Sequence, residues 1–234
     1  VKLIKSYRSK FGLHYIKSEN LGYFPSINFV INEHAIILSN YEYTIISNVD
    51  LSVSESFFIT LGRLSVSNTI GVYAPSIRSN AIGVDRNPKI YKRPTHLKLK
   101  INQQLFRYSF TYLILRLANI IRLKLMNVLR TSSPKNAEVN IQSEGVQIYA
   151  PHGSFVIFTH KFIKKNNKFN YPVFLFGEEI YVAEKSREYN LDVIYLPDLV
   201  VFDDEHVSTS LMRPEIYRSY NYKALSYILR HFYF

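Results

Sequence analysis

The apolar positions change period repeatedly along the chain, and these changes divide it into short helices and strands. "VKLIKSYRSKFG" sets Leu3, Ile4, Tyr7 and Phe11 at helical spacing and ends on Gly12, a C-terminal cap. "LHYIKS" reads as a short strand. A turn over Asn20–Gly22 leads to a helix opened by Pro25, and Ala35–Leu38 forms an apolar strand. "YEYTIISNVDL" is β-rich and closes on Asn48 and Asp50. Ser52 and Glu55 have capping-box spacing, which predicts a helix over about residues 53–67. "TIGVYAPSI" is a strand, and the polar, basic stretch 78–100 reads as a loop. Further strands are expected in "VQIYAPHG", "SFVIFT" and "LDVIYLPDLVVF", with a closing helix in "YNYKALSYILRHFYF". This alternation argues for an α/β fold.

One stretch resists a simple period. Residues 105–130 are apolar over much of a helical circumference, punctuated by Arg107, Arg116, Arg122, Lys124 and Arg130, with no acidic residue. Such a segment fits a membrane-surface helix, or a helical hairpin packed on its own domain with its basic residues in water. It reads as a helical basic insertion over 97–133 within a single domain spanning 1–234.

Composition narrows the function classes. Hydrophobic residues make up 47% of the 234, enough to bury a core. Cysteine is absent, which excludes disulfides and thiolate–zinc sites and fits a reducing, cytoplasmic setting. No apolar run reaches the roughly 18–20 residues of a transmembrane helix, and the start has no signal-peptide core. The net charge of +11 attracts polyanions: nucleic acid, anionic lipid or phosphorylated small molecules. No RNP-like, zinc-finger or helix-turn-helix pattern occurs, so specific nucleic-acid binding is not expected.

Three constellations could carry chemistry. Asn48 and Asp50 close a strand, where a carboxylate can hold a hard divalent cation. Strand-end Asx residues also make ordinary turns. Glu178 and Glu179 follow Gly177 at a helix start; there the backbone N–H groups favour carboxylates, and an ionised carboxylate can take a proton from a hydroxyl. Acidic first turns are also common without any function. His206, in "DDEHVSTS", follows an apolar strand and could ligate metal or lie at the surface.

In order, these segments resemble family 2 glycosyltransferases, particularly the bacterial rhamnosyltransferase-like and polysaccharide-assembly members. The matching stretches are "NLGYFPSIN" (Asn20, Gly22, Asn28), "SNVDL" (Asn48, Asp50), "APHGSFVIF" (His152, Gly153, Ser154), "FLFGEEIYVAE" (Glu178, Glu179) and "DDEH" (His206), together covering about residues 13 to 210. The resemblance implies a GT-A-type, Rossmann-like mixed sheet flanked by helices. It implies donor contacts at Asn20, Gly22, Asn28, Asn48 and Asp50, and a donor–acceptor junction at His152, Gly153 and Ser154. Asp50 and His206 would hold Mg²⁺ or Mn²⁺, and Glu179, with Glu178 beside it, would be the base of an inverting transfer. The partners implied are a nucleotide-sugar donor and a glycan acceptor, lipid-linked and reached from the inner face of the membrane. Asn48 stands where many relatives carry an aspartate. The family's usual first β-α segment has no counterpart, so the chain reads as N-terminally incomplete. The alternatives are an inactive transferase-like remnant and a non-enzymatic basic module for membrane or nucleic acid.

Overall fold

The computed structural model describes residues 14–33, 36–64, 67–79, 84–114, 117, 121, 145–203 and 212–233. Its centre is a mixed sheet of six strands: β1 (Tyr43–Ser47), β2 (Leu51–Val53), β3 (Ile70–Ser79), β4 (Val146–Ile148), β5 (Phe155–Thr159) and β6 (Asp192–Asp203). The order is β1-β5-β3-β6-β2, with β4 pairing the first half of β6 and β2 its end. Only β3 and β6 run parallel; the other pairings are antiparallel.

Both faces of the sheet are covered, which is why its central strands are apolar throughout. All five residues of β5 are buried. Val156 and Phe158 point into one cluster with Val72 and Ala74; Phe155 and Ile157 point into the other with Tyr73 and Ile77. The period of two divides them. The first cluster packs beneath α1 (Tyr23–Glu33), α4 (His160–Lys165), α5 (Glu178–Glu188) and α6 (Pro214–Phe232). Its heart is aromatic: Phe24 stacks on Phe169 at 4.8 Å, and Phe158 meets Phe169 edge-on at 5.1 Å. The second is closed by α2 (Phe57–Gly62) through Phe57 and Leu61. The chain is therefore a mixed α/β protein with an open sheet flanked by helices, as expected, and compatible with a Rossmann-like arrangement.

Several boundaries differ from the sequence reading, each for a physical reason. Residues 14–18, expected as part of a strand, have no regular structure; mostly exposed, they have no ladder to join. The strand expected over Ala35–Leu38 is absent at its described positions. Residues 36 and 37 are irregular and Leu38–Asn40 is a single 3₁₀ turn, because the chain must turn there from α1 into β1. The helix expected over 53–67 shrinks to Phe57–Gly62. Ser52 and Val53 pair with Phe202 and Val201, so the apparent capping box is spent on a β-ladder. The loop expected over 78–100 already holds the end of β3 and the start of α3 (His96–Arg107), capped by Thr95. Helix α4, unforeseen, starts at Thr159, whose hydroxyl accepts from the Phe162 amide. The helix expected at residues 1–11 lies outside the described residues.

Helix α3, the first part of the expected insertion, packs along α6. Leu99 is buried, the Gln103 amide donates to Ser226 Oγ at 2.8 Å, and Arg218 donates to the carbonyls of Phe106 and Arg107. The helix breaks at Tyr108 and helical backbone resumes over 109–114.

At the far end of α5 a charged knot ties four segments together. Glu184 is buried, and its Oε1 accepts from Arg93 Nε at 2.7 Å and from the Tyr149 hydroxyl at 2.6 Å. Its Oε2 accepts from Arg187 Nη1 at 2.7 Å and Arg93 Nη2 at 3.1 Å. Arg93 also donates to the Phe232 carbonyl and lies 4.0 Å over the Tyr233 ring. Burial alone would raise the Glu184 pKa; the donors from Arg93, Tyr149 and Arg187 outweigh it and hold the group below the usual carboxylate range.

Candidate functional site

Strand register decides which loops meet. Ser79 at the end of β3 pairs with Asp203 at the end of β6, and Asp203 pairs with Leu51 at the start of β2. Ser47, the last residue of β1, pairs with Phe155, the first of β5. Asn48, Asp50, Ser154 and Asp203 therefore gather at one end of the sheet, where β1, β3 and β6 present their carboxyl ends. Open α/β sheets place ligands at such an end. A backbone bond closes the group, the Asn48 amide donating to the Ser154 carbonyl at 2.8 Å.

Glu178 and Glu179 reach the same place from another direction. The backbone enters α5 through two left-handed residues, Phe176 (φ 72°) and Gly177 (φ 84°). That conformation costs a non-glycine residue energy. The Tyr171 hydroxyl holds it, donating to the Phe176 carbonyl at 2.5 Å. Both glutamates then occupy the first turn, as the sequence predicts. A methyl group placed on Gly153 would lie 3.7 Å from Glu179 Cγ and 3.9 Å from Glu178 Cβ, so the acidic pair borders the 152–154 loop. Tyr23 bridges them to α1, donating to the Gly153 carbonyl at 2.6 Å. Burial, then the charges of Glu178 and Glu179, raise the Tyr23 pKa, so the hydroxyl keeps its proton.

The two carboxylates differ in surroundings. Glu178 is buried, and its Oε1 has no hydrogen-bond partner among the described residues. Burial, and then the charge of Glu179, push its pKa up to about 7 against the backbone N–H groups of Glu178 and Phe176. Glu179 is only half-buried.

His152 is the third element. The Ser154 amide points at its Nδ1 from 3.3 Å and Ser154 Oγ lies 2.8 Å from the same atom. An amide can only donate, so Nδ1 accepts and the neutral ring carries its proton on Nε2. Burial, then Lys89 and Arg86, lower the His152 pKa to about 4 against the pull of Asp203. Arg86 pairs with Asp203 at 2.8 Å. Asn87, buried, accepts from the His152 amide at 2.6 Å and donates to the Pro75 carbonyl at 2.8 Å, pinning this loop over the strand ends. Asp85 supports it, accepting from the amides of Ile77 and Asn87 and from the Tyr195 hydroxyl.

Of the residues singled out from the sequence, the structure brings Asn48, Asp50, His152, Gly153, Ser154, Glu178 and Glu179 to one end of the sheet. Asp50 lies half-buried in the turn between β1 and β2, beside the Leu51–Asp203 pair. Gly22 is needed for its backbone: with φ 93°, a Cβ there would lie 2.5 Å from the Phe174 carbonyl oxygen. Asn20 is exposed ahead of it. Asn28 is occupied otherwise, its amide clamping both the carbonyl and the N–H of Phe169 at 2.9 Å. His206 lies outside the described residues. Among the described residues, no three His, Asp or Glu side chains group closely enough to hold a metal. A separate hollow of about 650 Å³ lies beside the Glu184 knot, bounded by Tyr91, Arg93, Gln147, Arg187 and Asp192, and none of the expected residues lines it.

The sequence reading missed Tyr23, Arg86, Asn87, Lys89 and Asp203. Tyr23 and Asp203 lie inside quoted motifs, "NLGYFPSIN" and "DDEH". Arg86, Asn87 and Lys89 join the group only through tertiary structure. No protein-family model matches the chain, and no curated protein matches it.

Proposed function

We propose that the chain is a GT-A-type glycosyltransferase, moving a sugar from a nucleoside diphosphate donor to a hydroxyl of a glycan acceptor with inversion. One observation supports this above the others: Asn48, His152–Ser154 and Glu178–Glu179, far apart in sequence, meet at one end of the sheet. Ordinary helix-start acids have no need of such company.

Glu179, the more open of the pair, is the base. It accepts the proton of the acceptor hydroxyl as that oxygen attacks the anomeric carbon. The bond from that carbon to the diphosphate oxygen breaks, and the electron pair leaves with the nucleoside diphosphate. Attack in line, from the face opposite the leaving group, inverts the centre. Arg86 and Lys89 give the His152 side of the site positive charge suited to the diphosphate, and the neutral His152 ring offers an Nε2–H donor. A divalent cation, held by Asp50 with His206, would neutralise the departing charge.

The test is a transfer assay over a panel of nucleotide sugars, with and without Mg²⁺ or Mn²⁺. Glu179→Gln is expected to lower the transfer rate by about 10²–10⁴-fold and leave the circular dichroism spectrum unchanged. Asp50→Asn is expected to lose metal-dependent donor binding. Wild-type rates in both variants would remove the assignment.

A further inference from the structure

We infer that α3 and the helical residues after it form a docking face for an anionic lipid bilayer. The inference is independent of the transferase reading. It starts from two groups of apolar side chains left in solvent, one on each side of the break at Tyr108. Leu97 and Ile101 are exposed on α3, and Phe110, Leu113, Leu117 and Ile121 on the helical backbone that follows, Phe110 by 72%. The sequence spacing from 110 to 113, 117 and 121 is helical. The opposite side is engaged: Leu99 is buried, and Phe106 and Tyr112 pack on Tyr217. Soluble surfaces seldom leave so many large apolar side chains uncovered.

Charge identifies what covers it. Along the exposed stretch itself, residues 96–121, the sequence contains Lys98, Lys100, Arg107 and Arg116 and no acidic residue. A second copy would bring the same basic residues and a net charge of +11 against it. An acidic headgroup layer complements both features, with cations held in the headgroups and apolar side chains sunk to the acyl boundary. A groove of about 450 Å³ opens between α3 and α6, lined by His96, Lys100, Gln103, Tyr222, Ser226, Leu229 and Arg230. Lys100 and Arg230 are basic and none of the lining residues is acidic, so the groove suits a lipid phosphate. Among the described residues no helix is long and apolar enough to cross a membrane.

Flotation of the full chain with lipid vesicles tests this. Binding is expected to vesicles of phosphatidylcholine mixed with phosphatidylglycerol, and to be weak on phosphatidylcholine alone. Raising the salt should weaken it. The combined variant Phe110→Ser, Leu113→Ser and Leu117→Ser alters only exposed side chains and is expected to lose at least about tenfold in vesicle affinity. Lys100→Glu with Arg230→Glu should abolish the preference for phosphatidylglycerol. Circular dichroism and size-exclusion chromatography accompany each variant. Two results would overturn the proposal: vesicle binding unchanged in both variants, or a wild-type dimer without vesicle binding that the serine variant turns into a monomer. Because no sugar transfer is measured, failure here leaves the transferase reading to its own assay.

Discussion

Glu178 and Glu179 are neighbours in sequence and opposites in surroundings. A buried carboxyl whose pKa rises to about 7 is protonated in both folded and unfolded chains at low pH. Above its unfolded value of 4.5 the unfolded chain releases the proton while the folded one holds it, so stability falls as pH rises from 4.5 to about 7. Beyond that the full burial cost of the charge remains. Glu178→Gln removes it. Thermal melts should show the variant more stable than wild type at pH 8, by up to roughly 3 kcal/mol, and little changed at pH 4. An equal effect at both values would place the unpaired carboxylate elsewhere. The local pattern of this pair was readable, since a glycine before two acids and a helical run is a helix start. The tertiary neighbours were not. Nothing in the linear order indicates that Asn87 fixes the His152 amide or that Asp203 pairs with Arg86.

At the scale of elements, legibility followed length and burial. β3, β5 and the long β6 were readable because strands covered on both faces are continuous apolar runs. Helix α4 has only six residues, too few to establish a period. The capping-box pattern at Ser52 failed because strand pairing outbid it, a tertiary gain that a local rule does not weigh. The Glu184 knot was equally invisible, because it joins Arg93, Tyr149 and the C-terminal segment across the fold. Its energetics are testable. Glu184→Ala removes the acceptor that Arg93, Arg187 and the Tyr149 hydroxyl share and should cost about 1.5–3 kcal/mol, read by urea denaturation. The folded pKa of Glu184 is depressed, so its contribution is present above pH 4.5 and is lost as pH falls through the folded value. Glu184→Gln should flatten that acid limb of the stability profile.

At the scale of the molecule, the two ends of α5 have different duties. Its first turn lies against the 152–154 loop at the end of the sheet, and its last turns are anchored by Arg93 and Tyr149. Rigid anchoring at one end holds carboxylates steady at the other, which is what positioning chemistry requires. The separate hollow beside the anchor offers a built-in control. Hydrogen–deuterium exchange in the presence of a nucleoside diphosphate sugar and Mn²⁺ reads both places in one experiment. The account predicts slowed exchange in the segments 47–51, 85–89, 152–154 and 177–180, with residues 187–193 unchanged. Protection confined to 187–193, or none anywhere with every donor tried, would contradict it.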